Sequence, residues 1–307
     1  DVVRSRGLGD VYKRQQPGMY DALKTAAEQL IDPQGRDLAK TVQWLPLELS
    51  ELDSGLRWPV AILGAGQPVL LLHGFDSSLL EFRRLAPLLA SRYQLWIPDL
   101  FGFGFTPRPQ GINYNPEAVL NHLQALVQQM PAGPIGVIGA SMGGSVAVVL
   151  ARQLQDEQPQ RIQRLLLLAP AGLTGKPMPL PPLLDRLGAG FLGLPAVRRG
   201  LCRQAFADPD ASVGPAEEEI ASLHLSTPGW AEALACFARS GGFAGVGAPL
   251  PEAPIQVLWG AQDRILRAPQ KRAAEALLGE RLKLVEGCGH LPHLDQPELV
   301  ARTWMAL

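Results

Sequence analysis

The sequence IGVIGASMGG (residues 135–144) is a short apolar run followed directly by a serine between small residues. Residues Ile135–Ile138 have the composition of a strand buried on both faces, and helical spacing begins at Met142. A strand that reverses into a helix within one residue crowds the backbone, so positions 139 and 143 must be small. The turn also places the Ser141 hydroxyl near a helix N-terminus, where negative charge is favoured. The stretch therefore predicts a strand–serine–helix turn within a parallel sheet.

Extended segments recur on both sides of this turn, and most are apolar runs that end at Gly or Pro. Eight strands are predicted in all: Val42–Leu49, Leu56–Leu63, Pro68–Leu72, Tyr93–Ile97, Ile135–Ile138, Leu165–Leu168, Ile255–Trp259 and Leu282–Val285. Helical spacing is found at Tyr20–Ile31, Glu81–Ser91, Pro116–Met130, Met142–Leu154, Ala268–Leu278 and Gln296–Met305. This alternation predicts an α/β fold with a mostly parallel sheet flanked by helices. No helix separates the first two strands, so we expect them to form an antiparallel edge.

One long stretch interrupts the alternation after the sixth strand. Residues 171–252 contain ten Pro and twelve Gly and no convincing buried strand. A loop of this length is rare in a compact domain unless it has a function, so we expect an inserted helical lid. Within it an apolar face at helical spacing is formed by Leu183, Leu184, Leu187, Phe191 and Leu192. The expected organisation is thus a core of residues 17–170 and 253–307 with a lid of residues 171–252.

The first sixteen residues (DVVRSRGLGDVYKRQQ) have neither helical nor strand periodicity and no initiator Met. They resemble a translated sequencing adapter, and we interpret residues 1–16 as a non-native or disordered tail. The alternative is a basic tail that binds membrane or nucleic acid, but its few cations are scattered.

Composition excludes several classes of function. The 28 basic and 29 acidic residues leave a net charge of −1, so there is no excess to drive nucleic-acid binding. No apolar run reaches the ~18 residues of a membrane span. The three cysteines, Cys202, Cys236 and Cys288, have no CxxC spacing and are interpreted as reduced thiols. We therefore expect a cytoplasmic protein of unknown oligomeric state.

A serine nucleophile requires a neighbouring base, and the chain offers five histidines. His122 lies within a predicted helix, on a face expected to be solvated, and His224 lies in the predicted lid. His290 follows the last predicted strand behind a Gly-Cys-Gly sequence, and from there it can reach a nucleophile in mid-sheet. We therefore predict His290 as the base.

The base in turn requires an acid that orients its imidazole. Asp263 lies just past the strand Ile255–Trp259. Residues 169–182, which follow the preceding strand, contain no carboxylate that could take this role instead. We therefore predict the chain Ser141–His290–Asp263.

An oxyanion that forms at an attacked carbonyl needs two donors held in place before the reaction. The backbone N–H of Met142, after the nucleophile, is one candidate. The N–H of Phe75, in the sequence His73-Gly74-Phe75 at the end of a strand, is the other. We interpret His73 itself as a structural hydrogen-bonding residue beneath this loop.

The combination of these motifs resembles the α/β-hydrolase superfamily, and the resemblance covers about residues 42–307. The motifs are strand–His73-Gly74, the sequence PDLFGFG (98–104), the sequence GASMGG (139–144), Asp263, and Gly289-His290-x-Pro292. The resemblance implies a cofactor-free serine hydrolase that works through an acyl-enzyme, with a lid after the sixth strand. Those members of the superfamily that are epoxide hydrolases or haloalkane dehalogenases have an aspartate nucleophile at this position, so Ser141 argues against both activities.

Within this superfamily the expected reaction is cleavage of a carboxylic ester with a hydrophobic acyl or alcohol group. The candidate substrate-binding residues are Phe101, Phe103 and Phe191, although core packing explains some phenylalanines equally well. A carbon–carbon bond hydrolase or a cofactor-free perhydrolase or haloperoxidase with the same triad is the alternative. A second alternative is a non-catalytic ligand-binding receptor on the same scaffold. Transient contact of the lid with a membrane surface is compatible with an apolar substrate.

Other possible sites have weaker support. The spacing His290-x-x-His293 suggests a metal, but no third ligand lies at a useful spacing and Pro292 interrupts any helix. No G-x-G-x-x-G follows the first strand of a βαβ unit, so no dinucleotide site is predicted. We therefore expect neither a metal nor a cofactor.

Overall fold

The computed structural model describes residues 23–25, 27–49, 52 and 55–307. The predicted tail of residues 1–16 lies outside these ranges. Among the described residues, eight strands form a single sheet: β1 (Val42–Pro46), β2 (Arg57–Leu63), β3 (Gln67–Leu72), β4 (Tyr93–Pro98), β5 (Ile135–Ala140), β6 (Ile162–Leu168), β7 (Ile255–Gly260) and β8 (Leu282–Val285).

The strands are arranged in the order β1-β2-β4-β3-β5-β6-β7-β8. β1 pairs antiparallel with β2, as predicted, and β2 also pairs antiparallel with β4. Every other neighbouring pair is parallel. The predicted α/β class with a mostly parallel eight-stranded sheet is confirmed. The carboxyl ends of β3, β5, β7 and β8 therefore open on the same edge of the sheet.

Helices flank the sheet on both faces. Those of the core are α1 (Pro33–Ala39), α2 (Ala86–Leu89), α3 (Pro116–Gln129), α4 (Met142–Glu157), α10 (Ala268–Leu278), α11 (Pro292–Asp295) and α12 (Pro297–Ala306). Between β6 and β7 lie α5 (Leu184–Leu192), α6 (Pro195–Ala205), α7 (Pro209–Ser212), α8 (Pro215–Ser222) and α9 (Trp230–Ser240). Across the described ranges, no helix is both long enough and apolar enough to span a membrane.

Two hydrophobic layers pack against the sheet, and strand residues alternate between them. On β3, Leu70 and Leu72 belong to the layer that includes α3 and α4. Val69 and Leu71 belong to the opposite layer, which includes Trp304 of α12. Because β3 is buried on both faces, its sequence is a continuous apolar run without alternation.

The segment between β6 and β7 is helical and is joined to the core. We call residues 171–252 the insertion. Its helix α9 packs against α5 and buries Leu234 and Phe237 in the same layer as α3 and α4. Ile220 of α8 is buried in the opposite layer, so the insertion contacts both hydrophobic layers of the core.

The predicted helix Glu81–Ser91 is wrong, because the segment is broken in two. A 3₁₀ turn spans Leu79–Phe82, and the short helix α2 begins only at Ala86. Pro87 has no backbone N–H and its ring crowds the preceding turn, so it is tolerated only in the first turn of a helix. The helix consequently starts again just before Pro87.

The solvated position predicted for His122 is also wrong. His122 of α3 is completely buried, with its ring 4.9 Å from that of Trp58 and 6.0 Å from that of Phe101. Neither ring nitrogen has a hydrogen-bond partner among the described residues. Burial lowers the pKa of His122 to about 3, because a charged imidazole would lose its hydration.

This burial predicts an acid-sensitive fold. Below pH 6.5 the unfolded chain protonates His122, whereas the folded chain does so only near pH 3, so stability falls as the pH decreases through this window. We expect His122→Leu to reduce the slope of the unfolding free energy by about 1.4 kcal/mol per pH unit in this window. Urea unfolding at a series of pH values measures the slope.

Two other buried groups, His73 and Asp99, contribute to the pH dependence of the unfolding free energy in both the parent and the His122→Leu variant. Burial lowers the pKa of His73 to about 4, which adds to the loss of stability in acid, and raises the pKa of Asp99 to about 7, which opposes it. The difference between parent and variant isolates His122. Equal slopes in the two proteins would contradict its burial.

Candidate active site

Ser141 lies at the reversal between β5 and α4, in a backbone conformation that few residues adopt. Its φ is 51° and its ψ is −120°, and it is the N-cap of α4. A Cβ at Gly139 would lie 2.3 Å from the Gly143 carbonyl oxygen, and one at Gly143 would lie 2.1 Å from that of Leu72. Both positions therefore require glycine, which agrees with the prediction that they must be small. The turn orients the Ser141 hydroxyl beyond the carboxyl end of the sheet.

His290 approaches Ser141 from the loop after β8. Its Nε2 lies 2.8 Å from the Ser141 Oγ. Its backbone N–H donates to the carbonyl oxygen of Ala205 in the insertion at 2.8 Å. A Cβ at Gly289 would lie 2.4 Å from the same carbonyl, so glycine is needed for the loop to pass under α6. The insertion thus contributes to the position of the His290 ring.

Asp263 lies on the far side of the imidazole, in the loop after β7. Its Oδ2 is 2.9 Å from His290 Nδ1, and its Oδ1 accepts hydrogen bonds from the backbone N–H groups of Ile265 and Leu266. Burial alone would raise the pKa of Asp263, but its hydrogen bond to His290 and the two N–H donors hold it below the ordinary value. An ionised Asp263 accepts from Nδ1–H, which leaves Nε2 free to accept the Ser141 proton.

The loop after β3 passes directly beside the serine. A Cβ at Gly74 would lie 3.3 Å from the Cβ of Ser141. His73 lies beneath this loop, where its Nε2 accepts from the backbone N–H of Leu100 at 3.0 Å and its Nδ1 lies 2.8 Å from the Gly74 carbonyl oxygen. His73 thus occupies the structural position expected for it, and Phe75 lines one cavity together with Ser141 and another together with Met142.

Asp76, which follows Phe75, joins this loop to three parts of the insertion. Its φ is 49°, in the left-handed region, and its carboxylate is buried. It accepts hydrogen bonds from Arg198 of α6 at 2.5 Å, from His224 at 3.1 Å and from Trp230 of α9 at 2.8 Å. Burial alone would raise the pKa of Asp76, but His224 and Arg198 hold it below its usual value.

Glu81 supports the same loop from the 3₁₀ turn. Its Oε2 accepts from the Gly74 N–H at 3.3 Å, and its Oε1 lies 2.8 Å from Nε2 of His293. Burial alone would raise the pKa of Glu81, but its contact with His293 lowers it to about 2. His293 is therefore directed towards Glu81. Within the described ranges, no group of three or more His, Cys, Asp or Glu side chains could hold a metal ion.

Two cavities adjoin Ser141 and Met142, and Phe75 lines both. The first, about 250 Å³, is lined by Ser141 and His290 together with Asp76, Glu81, Arg198, Leu192, Leu201 and Leu291. The second, about 290 Å³, is lined by Met142, Met178, Leu180, Phe237 and Phe243. A larger cavity of about 410 Å³ near Pro134 and Pro254 lies at the amino ends of the strands, away from Ser141, and is lined by no Ser, His or Cys. The cavities of about 250 Å³ and 290 Å³ are the candidate substrate space, because the first is lined by Ser141 and His290 and Phe75 lines both.

The structure places the three predicted substrate-binding phenylalanines differently. Phe101 is buried between the rings of Tyr114 and Trp58 and lines neither cavity. Phe103 is buried behind the site, with its ring 5.7 Å from Phe75 and 5.0 Å from Phe237. Phe191 is 58% exposed on α5 and also lines neither cavity.

Sequence reasoning missed Asp76, Phe237 and Phe243. A signal was available for Asp76, because it directly follows His73-Gly74-Phe75 at a strand end where polar residues collect. Nothing local distinguishes Phe237 and Phe243, which reach the cavity only through the packing of α9 on the core.

Comparison with known proteins agrees with this architecture. The model of the Alpha/beta hydrolase family matches residues 69–303. The "Alpha/beta hydrolase domain-containing protein VTE7" of Arabidopsis thaliana is 28% identical over 300 residues, covering 93% of this chain and 89% of that protein. The 2-hydroxymuconate semialdehyde hydrolase of Pseudomonas sp. (strain CF600) is 25% identical over 257 residues, covering 79% of this chain and 87% of that protein.

A solved structure extends the agreement to the fold. The esterase EaEST from Exiguobacterium antarcticum superposes with a TM-score of 0.68 at 19% identity, covering 85% of this chain and 97% of that one. At this identity the likeness concerns the fold alone.

The Asp76 cluster predicts a large loss of stability when its charge is removed. Asp76→Asn leaves the Arg198 side chain, which is only 10% exposed, without its counter-charge, so we expect the free energy of unfolding to fall by about 3–5 kcal/mol. The control is Arg199→Met, at the residue after Arg198, which breaks an exposed ion pair with Glu218. It should lower the free energy of unfolding by less than about 1 kcal/mol. Urea unfolding measures both variants. Equal losses would contradict a special role for the buried cluster.

Proposed function

Since the chain belongs to the alpha/beta hydrolase family, we propose that it is a serine hydrolase that cleaves carboxylic esters through an acyl-enzyme. The observation that carries this proposal is the hydrogen-bonded chain from Ser141 through His290 to Asp263, at a strained strand-to-helix turn. The nucleophile, base and orienting acid are within hydrogen-bonding distance, as acyl transfer requires.

In the proposed first step the Ser141 Oγ attacks the ester carbonyl while Nε2 of His290 takes its proton. Asp263 holds the Nδ1–H tautomer and stabilises the imidazolium that forms. The backbone N–H groups of Phe75 and Met142 are the proposed donors to the oxyanion, and Gly74 and the start of α4 bring them beside the serine. The imidazolium then protonates the departing alcohol.

In the second step His290 removes a proton from water, which attacks the acyl-enzyme. Collapse of the second oxyanion releases the acid and returns the proton from His290 to Ser141. No external acid, base or metal is needed to balance either step. We propose that the insertion serves as a lid in this cycle, because Ala205 positions His290 and the insertion lines both cavities.

The charges around the site favour a neutral substrate. Asp76 neutralises Arg198, and Glu81 adds a second carboxylate to the same cavity. A substrate with its own carboxylate would meet this negative surface. The second cavity is lined almost wholly by apolar groups and glycines. We therefore propose an apolar ester, with one part of the substrate in each cavity.

Carbon–carbon bond cleavage with the same triad is the alternative that Arg198 favours. It is the one guanidinium that lines the cavity with Ser141, and its Nε has no hydrogen-bond partner among the described residues. Turnover of a 2-hydroxy-6-oxo-dienoate at a higher kcat/KM than that of any ester would establish this alternative. Its absence would support the ester.

Replacement of the nucleophile tests the catalytic assignment. Ser141→Ala should reduce turnover of p-nitrophenyl butyrate by about 10⁴-fold or more, because the acyl-enzyme can no longer form. It should also abolish labelling by a fluorophosphonate probe. Ser226→Ala, which removes a hydroxyl bonded to the Leu223 carbonyl within the insertion, is the matched control and should label normally. Failure of the folded parent to label would support a non-catalytic receptor.

The apolar cavity predicts a preference for longer acyl chains. Each methylene that it buries contributes about 0.8 kcal/mol, so kcat/KM should rise about fourfold per methylene until the cavity is full. Ala238→Trp fills this cavity and should shift the optimum to shorter esters. Ala253→Trp, in the cavity at the amino ends of the strands, should leave the optimum unchanged. Preference of the parent for acetate would count against the assignment.

A further inference from the structure

A row of large apolar side chains stands exposed on the insertion. Seven of them follow one another along residues 178–194 with exposed fractions between 38% and 81%: Met178, Leu180, Leu183, Leu184, Leu187, Phe191 and Leu194. Isolated exposed leucines are ordinary on a protein surface, but seven exposed apolar side chains within seventeen consecutive residues indicate an interaction site. We call these residues the apolar face.

The geometry of α5 explains how the apolar face is kept on one side. At 100° per residue, Leu184, Leu187 and Phe191 fall on one arc of the helix. The opposite arc carries Asp185 and Ala189, which are buried against the rest of the insertion. The exposed arc otherwise holds Gly188 and Gly190, so the leucines and the phenylalanine project without polar neighbours of similar size.

The charges beside the apolar face are of one sign. Asp185, the only acidic residue between positions 172 and 207, is buried and paired with Arg239. Lys176 and Arg186 are exposed, and neither forms an ion pair within the described part of the chain. The free charges of the segment are therefore positive.

The apolar face continues into the candidate substrate space. Met178 and Leu180 belong to the face and also line the cavity that contains Met142 and Phe237. This cavity shares Phe75 with the cavity that contains Ser141, so the face adjoins the candidate substrate space. This continuity is what distinguishes the face from an ordinary exposed helix.

We propose that the apolar face docks on the surface of an anionic lipid bilayer. An interfacial helix buries its apolar side among the acyl chains while cations at its border contact anionic headgroups. The leucines of α5 together with Lys176 and Arg186 fit that description. The use of the docked face to admit an ester from the bilayer rests on the function proposed above, but docking itself does not.

A second copy of this chain is the less suitable occupant. A two-fold interface brings the same patch of both subunits together, so the unpaired positive charges of one copy would approach those of the other. It would also cover Met178 and Leu180 at the cavity. A lipid surface complements the charge and supplies an apolar substrate at the same place.

The test is sedimentation of the full-length chain with lipid vesicles. The vesicles are phosphatidylcholine alone and an equimolar mixture of phosphatidylcholine with phosphatidylglycerol. We expect binding to the mixed vesicles, and the double variant Leu184→Asp/Leu187→Asp should bind at least about tenfold more weakly. Leu284→Asp changes a leucine of similar exposure on β8 and should bind like the parent. Thermal unfolding verifies that each variant is folded.

A second pair of variants tests the contribution of charge. Lys176→Gln/Arg186→Gln should weaken binding to the mixed vesicles and leave any binding to phosphatidylcholine unchanged. Equal binding by the parent and the leucine double variant would overturn the proposal, as would no binding by the parent. A concentration-dependent dimer that the leucine variant abolishes would assign the face to a second copy instead.

Measurements with Ser141→Ala separate docking from catalysis. This variant should sediment with the mixed vesicles like the parent, because Ser141 lies outside the apolar face. Vesicle binding together with no turnover of p-nitrophenyl butyrate by the parent would leave the docking proposal standing and remove the proposed function. Turnover without vesicle binding would do the reverse.

Discussion

The structure depends on one backbone constraint, the reversal from β5 into α4 within the single residue Ser141. This reversal forces the serine to a positive φ and brings Gly143 against the end of β3, where no side chain would fit. The burial of β5 before Ser141 and of α4 after it offsets the cost of this strained backbone. Because the turn adjoins β3, the loop that begins at His73 lies beside the serine. The remaining parts of the site are arranged around this point.

The insertion is hydrogen-bonded to the core on both sides of the candidate site. On one side, three of its elements donate to the carboxylate of Asp76, directly after Phe75. On the other, Ala205 accepts from the backbone of His290. A shift of α6 would therefore disturb the loop that carries Phe75 and the position of His290 together. The apolar face on the neighbouring helix α5 points outward, so a bilayer could be engaged without breaking these buried contacts.

Much of the fold could be predicted because its signals are local. Strands buried on both faces are continuous apolar runs, and the small residues on both sides of Ser141 indicate a tight strand-to-helix turn. The failures arose where packing between distant segments decides the outcome. Helical spacing placed His122 on a solvated face, although Trp58 of β2 covers it. Phe101 and Phe191 are aromatic residues of the kind that lines apolar pockets. In the structure Phe101 is enclosed by Tyr114, whereas Phe191 projects into solvent.

From the sequence alone followed the α/β class, the order of the elements, and the candidate residues Ser141, His290 and Asp263, since each lies in a short motif at a strand end. Only the tertiary structure decided that the three side chains meet within hydrogen-bonding distance, that Phe237 and Phe243 line the apolar cavity, and that Asp76 binds the insertion. The physical reason is separation along the chain. Asp76 and His224 are 148 residues apart, and no local pattern encodes which distant partner a buried carboxylate will meet.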